Sequence, residues 1–265
     1  MQYDILMIRE GWNMAEKYPV LQNAESFFME GGDIGVLVQH GFTGTTQSMR
    51  FLGEFLAQVG FTVYAPRLKG HGTHYEDMEA TSYEDWIASA EEGYQKLKAA
   101  CREVFVVGLS MGGTIALHLA EEYPDIAGIM LINAAVRVKN FEPLAKETTR
   151  YLDAIGSDIK APDVAELAYS KTPVASVKQF LTFKDIVASR LSAVTCPTLV
   201  LVSREDHVVP PEDSDYILAH ITSELKEKVV LENSYHVATL DNDKELIARQ
   251  CAAFISEINQ MKTKS

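Results

Sequence analysis

The chain is short of cationic charge, of cysteine and of long apolar runs, and each shortage closes off a class of protein. Lys and Arg number 24 against 37 Asp and Glu, a net charge of −13, and no basic run breaks the excess. A surface of that sign repels phosphate backbones and anionic lipid, so no nucleic acid is expected as a partner. The apolar stretch IMLINAAV (129–136) is eight residues long and contains Asn133, far below the ~20 residues that span a bilayer. No transmembrane segment is expected. The opening residues MQYDILMIREGWNM carry acids and Arg within their short apolar part. They offer no small-residue cleavage site and do not read as a secretory signal. Three cysteines, Cys101, Cys196 and Cys251, are widely spaced and cannot pair completely, which favours a reducing, cytoplasmic location and a role as small core fillers. There is no internal repeat and no low-complexity tract.

What remains is rich in core-forming residues. With 265 residues and 47% hydrophobic content the chain can fill one large core, and the expectation is a single domain over 1–265. Strand and helix patterns alternate along it. DIGVLVQH (33–40), FTVYAP (61–66), 104–109, 127–132, TLVLVS (198–203) and KVVLE (228–232) read as strands. Helices fall over roughly 47–59, from Ser82 with a Ser82/Asp85 capping box, then over 111–122, 213–222 and 243–260. Gly60 closes the first of them. Continuous apolar strands between amphipathic helices specify a mostly parallel sheet flanked by helices, an α/β architecture. The pattern breaks over about 137–190, where charges, Pro143, Gly156 and Pro162 interrupt before TPVASVKQFLTFKDIVASRL resumes helical spacing. This stretch holds no good strand and is expected to be a cap insertion of short helices, because structureless loops of that length are rare in compact domains.

One stretch carries chemistry. In VFVVGLSMGGTIALHLAEEYP (104–124) a β-branched strand turns into a helix at Ser110, with Gly108, Gly112 and Gly113 around it. Such a turn strains the backbone and lifts one hydroxyl above the sheet at a helix N-terminus. A G-x-S-x-G alone occurs by chance in about one chain in ten of this length, so partners must be found. TLVLVS leads to REDHVVP, which puts Asp206 at a strand's carboxyl end, with Glu205, Asp213 and Asp215 as competing acids. KVVLE leads to NSYHVATLD, which puts His236 at the same position one strand later. Carboxyl ends of parallel strands share one side of a sheet, so Ser110, Asp206 and His236 can converge as nucleophile, acid and base. After the first strong strand, HGFTG (40–44) turns tightly enough to free the N–H of Phe42, and the N–H of Met111 follows the serine; together they are the candidate oxyanion donors. GHGTH (70–74) places His71 and His74 three apart. Without a third ligand at suitable spacing it reads as loop structure, and neither a metal nor a cofactor is expected.

Taken together, HGFTG, RLKGHGTHYEDM, GLSMGGT, DHVVPP and SYHVATLD, from about Tyr18 to about Phe254, resemble the bacterial monoacylglycerol lipase and carboxylesterase branch of the α/β-hydrolase superfamily. The resemblance implies an eight-stranded sheet with a small cap, a small lipid-like ester as substrate, and hydrolysis to an acid and an alcohol. It implies that Glu166, in VAELAYSKTP, contacts the glycerol end of a monoacylglycerol. Of the apolar cap residues Phe141, Leu144, Leu152, Ile155 and Phe180, most are expected to pack, with Ile155 meeting the substrate. Gln39 stands where the family has an apolar residue before the HG pair. The alternatives are a general short-to-medium-chain carboxylesterase or a thioesterase using the same three residues. A monomer or homodimer is the expected assembly.

Overall fold

The strand runs found in the sequence pair into one sheet. The computed structural model describes residues 15–154 and 156–264. Its strands are β1 (Phe27–Met29), β2 (Ile34–Gln39), β3 (Thr62–Ala65), β4 (Glu103–Leu109), β5 (Gly128–Ile132), β6 (Tyr151–Asp153), β7 (Lys171–Pro173), β8 (Thr198–Ser203) and β9 (Lys226–Leu231). The main sheet has the order β1-β3-β2-β4-β5-β8-β9, with only β1 antiparallel to its neighbour. β2, β4, β5 and β8 are buried along almost their whole length, as a parallel sheet covered on both faces requires. Seven strands, rather than the eight the resemblance implies, form this sheet among the described residues, because Ala15 to Ser26 run in turns and bends up to the β1 edge.

The helices are α1 (Arg50–Gln58), α2 (Tyr75–Glu79), α3 (Tyr83–Ala100), α4 (Met111–Glu122), α5 (Val174–Arg190), α6 (Glu212–His220) and α7 (Lys244–Lys264). Alternate residues of β4 serve two cores. Val104 and Val106 meet Trp86, Tyr94 and Leu97 of α3 and the apolar length of α4, while Phe105, Val107 and Leu109 face α1 and α7. The Ser82/Asp85 capping box forms at the start of α3, and Gly60 takes φ +106 behind α1; a cap of the first kind contributes about 1 kcal/mol.

The segment between β5 and β8 departs from expectation. It contains two short 3-10 turns (139–141 and 144–146), but also an antiparallel pair, β6 with β7, where no strand was expected. Each arm is three residues and carries charge (Asp153, Lys171), too short for alternation to register. α5 then packs on the α4 side of the sheet through Val177, Phe180, Phe183 and Val187.

Candidate active site

Ser110 sits between β4 and α4 with φ 56° and ψ −119°. A non-glycine residue in that region costs on the order of 1–3 kcal/mol and persists only where its surroundings over-determine it. Two glycines do so here. A Cβ on Gly108 would lie 2.0 Å from the Gly112 carbonyl oxygen, and one on Gly112 would lie 2.3 Å from the Gln39 carbonyl oxygen. The chain after Ser110 is therefore pressed against the end of β2. On the other side the HG turn passes close by: a Cβ at Gly41 would be 3.2 Å from the Ser110 Cβ. Phe42, next in line, lines the same narrow cleft as Ser110 and stacks on Phe180 with ring centroids 5.2 Å apart. His40 braces this turn, its Nδ1–H donating to the Gly41 carbonyl at 3.0 Å and its Nε2 accepting from Leu68 N–H at 3.2 Å.

Asp206 and His236 lie on the loops after β8 and β9. His236 Nδ1–H donates to Asp206 Oδ2 at 2.8 Å, and both side chains are buried. The other Asp206 oxygen accepts from the N–H groups of Val208 and Val209, each at 2.8 Å, so the carboxylate is held from both ends. Burial alone would depress the His236 imidazole's pKa. The charges of Asp206, then of Glu166 and Asp158, outweigh it and raise the value above the ordinary one. The competing acids are engaged elsewhere. Asp213 Oδ2 accepts from the backbone of Val136, Arg137 and Val138 at 2.8–3.2 Å, Asp215 pairs with Lys228, and Glu205 faces Lys160 at 3.8 Å.

Ser110, His236, Phe42, Glu166, Phe141 and Phe180 all line a cleft of only about 30 Å³. It abuts a larger cavity of about 430 Å³ through Phe141, Gly156 and Val208. Apolar walls of the larger cavity come from Phe141, Leu144 and Leu152, polar ones from Asp153, Asp158 and His207. Glu166 turns its carboxyl inward: a Cβ on Gly44 would meet its Oε1 at 2.4 Å. Burial pushes its pKa up to about 7, against the lowering influence of His236 and Ser48. Met111 opens α4 beneath the serine and is buried. Ile155 lies outside the described residues. His71 and His74 have structural work: His71 Nδ1 faces the Lys69 carbonyl at 3.3 Å, and His74 caps α2 and stacks on Tyr18. Among the described residues no cluster of metal-binding side chains occurs.

Sequence reasoning missed residues that hold the histidine loop, Asn133 and Asp241 among them. Asn133, at the end of β5 with φ 45°, donates to the His236 carbonyl at 2.8 Å and accepts from Ser203 N–H at 2.8 Å. Asp241 accepts from Tyr235 N–H and from Lys160 and Ala161 N–H at 2.7–2.8 Å. The signal for Asn133 was its lone amide inside an apolar strand run, which a buried partner had to satisfy.

A strained serine on a strand-to-helix elbow, beside a buried Asp–His pair at the carboxyl edge of a parallel sheet, defines a serine hydrolase of the α/β-hydrolase type. The family model described as serine aminopeptidase, S33 (Hydrolase_4) matches residues 33–167 and 156–243, and the chain belongs to that family. It is 54% identical to the thermostable monoacylglycerol lipase of Bacillus sp. (strain H-257) over 92% of this chain and 99% of that one. It is 31% identical to a carboxylesterase of Bacillus subtilis (strain 168), over 88% and 96% respectively. A solved structure reported with LipS and LipT, two metagenome-derived lipolytic enzymes, superposes with a TM-score of 0.88 at 48% identity, covering 90% of this chain and 100% of that one.

Proposed function

We propose that this chain hydrolyses carboxylic esters, monoacylglycerols foremost, through an acyl-enzyme on Ser110. The observation that carries the reading is the 2.8 Å Asp206–His236 contact opening onto the cleft that holds the strained serine. His236 takes the Ser110 proton as the hydroxyl attacks the ester carbonyl, while Asp206 holds the imidazole in the tautomer that leaves Nε2 free to accept. The N–H groups of Phe42 and Met111 receive the oxyanion. The alcohol leaves with a proton from His236, and water repeats the two steps to free the acid.

The apolar wall of the larger cavity (Phe141, Leu144, Leu152) suits an acyl chain. Glu166, in the cleft beside His236, suits the two free hydroxyls of a glycerol leaving group, since a carboxylate can accept from both. The 54% identity to a monoacylglycerol lipase supports that substrate over a generic ester. Among the described residues no helix is long and apolar enough to cross a membrane. A cytoplasmic location belongs to this reading, supported by three thiols that are all unpaired.

The test is a substrate panel with Glu166→Ala. A hydrogen bond to a charged group contributes about 1.5–3 kcal/mol, so kcat/KM for monoacylglycerols should fall about ten- to a hundredfold. Nitrophenyl esters, which offer no hydroxyls, should be cleaved nearly as before. Equal losses on both substrates, or none on either, would favour a general carboxylesterase.

A further inference from the structure

The acid and the histidine stand 30 residues apart on two loops, and a third segment ties those loops together. Asp158, between the arms of the β6–β7 hairpin, places one carboxylate oxygen, Oδ2, 3.1 Å from the N–H of His207 and 3.1 Å from the N–H of His236. Its other oxygen accepts from His207 Nδ1–H at 2.8 Å, and its backbone carbonyl accepts from Val237 N–H at 3.0 Å. His207 directly follows Asp206. The neighbouring Lys160 and Ala161 N–H groups are fixed on Asp241 of the histidine loop at 2.7 and 2.8 Å. One oxygen shared by two backbone N–H groups sets the distance between the loops that bear them.

We propose that Asp158 is a positioning residue, a cap carboxylate that clamps the Asp206 loop to the His236 loop and so makes triad alignment depend on a seated cap. This rests on the reading of Ser110, Asp206 and His236 as the hydrolytic residues. Asp158 acts through the backbones of its two partners and through its charge. The charged groups facing His236 are Asp206 from the loop after β8 and Asp158 and Glu166 from the cap. Those facing Asp158 on its other side are His207, which also lies 3.5 Å from Glu205, and beyond it Lys160, 3.8 Å from Glu205. Removing Asp158 therefore takes a neighbouring negative charge from the histidine, as well as three hydrogen bonds from the two loops.

The experiment compares wild type, Asp158→Ala and Asp158→Asn on a short nitrophenyl ester, with active sites counted by a serine-directed phosphonate. Misplacement of a reacting group by about 1 Å costs up to a hundredfold, so Asp158→Ala should lose about ten- to a hundredfold in kcat per titrated site, with KM within about twofold. Asparagine keeps one oxygen for the two backbone N–H groups, so Asp158→Asn should recover much of kcat. In both variants the acidic limb of kcat/KM should move to lower pH, because the imidazole loses a neighbouring anion. A residue that served folding alone would lower Tm and leave both the rate per titrated site and the limb in place, and that result overturns the proposal. If Asp158→Ala does not fold, the limb of Asp158→Asn decides. Failure of the underlying reading has a different signature: wild type would not be titrated by the phosphonate, or Ser110→Ala would keep its activity.

Discussion

At Ser110 the backbone stores strain that the surrounding glycines permit, and the side chain is the proposed nucleophile. Ser110→Ala should lower turnover by about a millionfold, measured against a phosphonate-titrated wild type; retention of most ester hydrolysis would remove the covalent mechanism. Asp206→Asn should cost about ten-thousandfold with the fold intact, because an amide stabilises the wrong imidazole tautomer. Asp213 makes the contrast useful. Its carboxylate gathers three backbone N–H groups where the chain leaves β5, so Asp213→Ala should lower Tm and spare the rate of whatever remains folded. The raised pKa of His236 gives a pH dependence. The imidazole must be neutral to accept the serine proton, so kcat/KM should fall on acidification from a midpoint above the ordinary value of 6.5. A midpoint below 6.5 would mean that burial, not its three anionic neighbours, governs the histidine. Ser110, Asp206 and His236 could be picked out in the sequence as candidates because each ends or follows a strand at a turn that apolar runs delimit, and the structure brings Asp206 and His236 into contact. Asp158 could not be, since its role comes from backbone groups whose positions no local pattern encodes, and Asn133 left only the hint of an amide inside an apolar run.

At the scale of elements, the elbow depends on how closely α4 approaches β2. Gly112→Ala would drive a Cβ to 2.3 Å from the Gln39 carbonyl and 2.8 Å from that of His40, both rigid backbone atoms. Overpacking of this kind costs about 1–3 kcal/mol or more, and here the displaced turn is the one that carries Phe42, whose N–H is a proposed oxyanion donor. Gly112→Ala should therefore lose both Tm and kcat. Gly60→Ala, at φ +106 with nothing within 4 Å, should lose only about 1–2 kcal/mol of stability through backbone strain. Equal effects on kcat at the two sites would refute the close-approach argument. The central strands and most of the helices could be read from periodicity, because β2, β4, β5 and β8 are buried on both faces and α1 and α3 on one. β1 and the β6–β7 pair could not: three-residue strands at an edge or in a cap owe their existence to the partner that pairs with them. Gln39, at the end of β2, is a buried amide with both polar atoms unpartnered; nothing in the structure explains it.

Across the whole molecule the surplus of acid is mostly harmless, since exposed carboxylates such as Glu232 and Asp33 sit in water beside Arg204 and Arg102, and such pairs change stability little. The pH dependence of stability then comes from the few titratable groups that folding hides. His40 and His71 are buried with depressed pKa values, His40 to about 4. In the unfolded chain they bind protons below about pH 6.5 while the native state does not, so stability falls as pH drops through that range. Glu121, on the last turn of α4, works in the opposite direction. Its side chain is fully buried, neither oxygen has a hydrogen-bond partner, and Arg190 approaches no closer than 4.0 Å. Burial pushes its pKa up to about 8, with Arg190 too distant to offset it and Glu122 adding to the rise. Below pH 4.5 the carboxyl is protonated in both states and costs nothing; as pH rises from there the unfolded chain releases the proton while the native state keeps it, so stability declines until about pH 8 and then levels. Glu121→Gln mimics the protonated form at every pH. Measured as the difference in Tm from wild type, which cancels the histidine contribution, the variant should be near neutral around pH 4.5 and more stable around pH 9. A gain of about 1 kcal/mol would appear as roughly 2–4 °C in a chain of this size. A difference that stays flat between those two pH values would show that Glu121 ionises in the native state as freely as in the unfolded one.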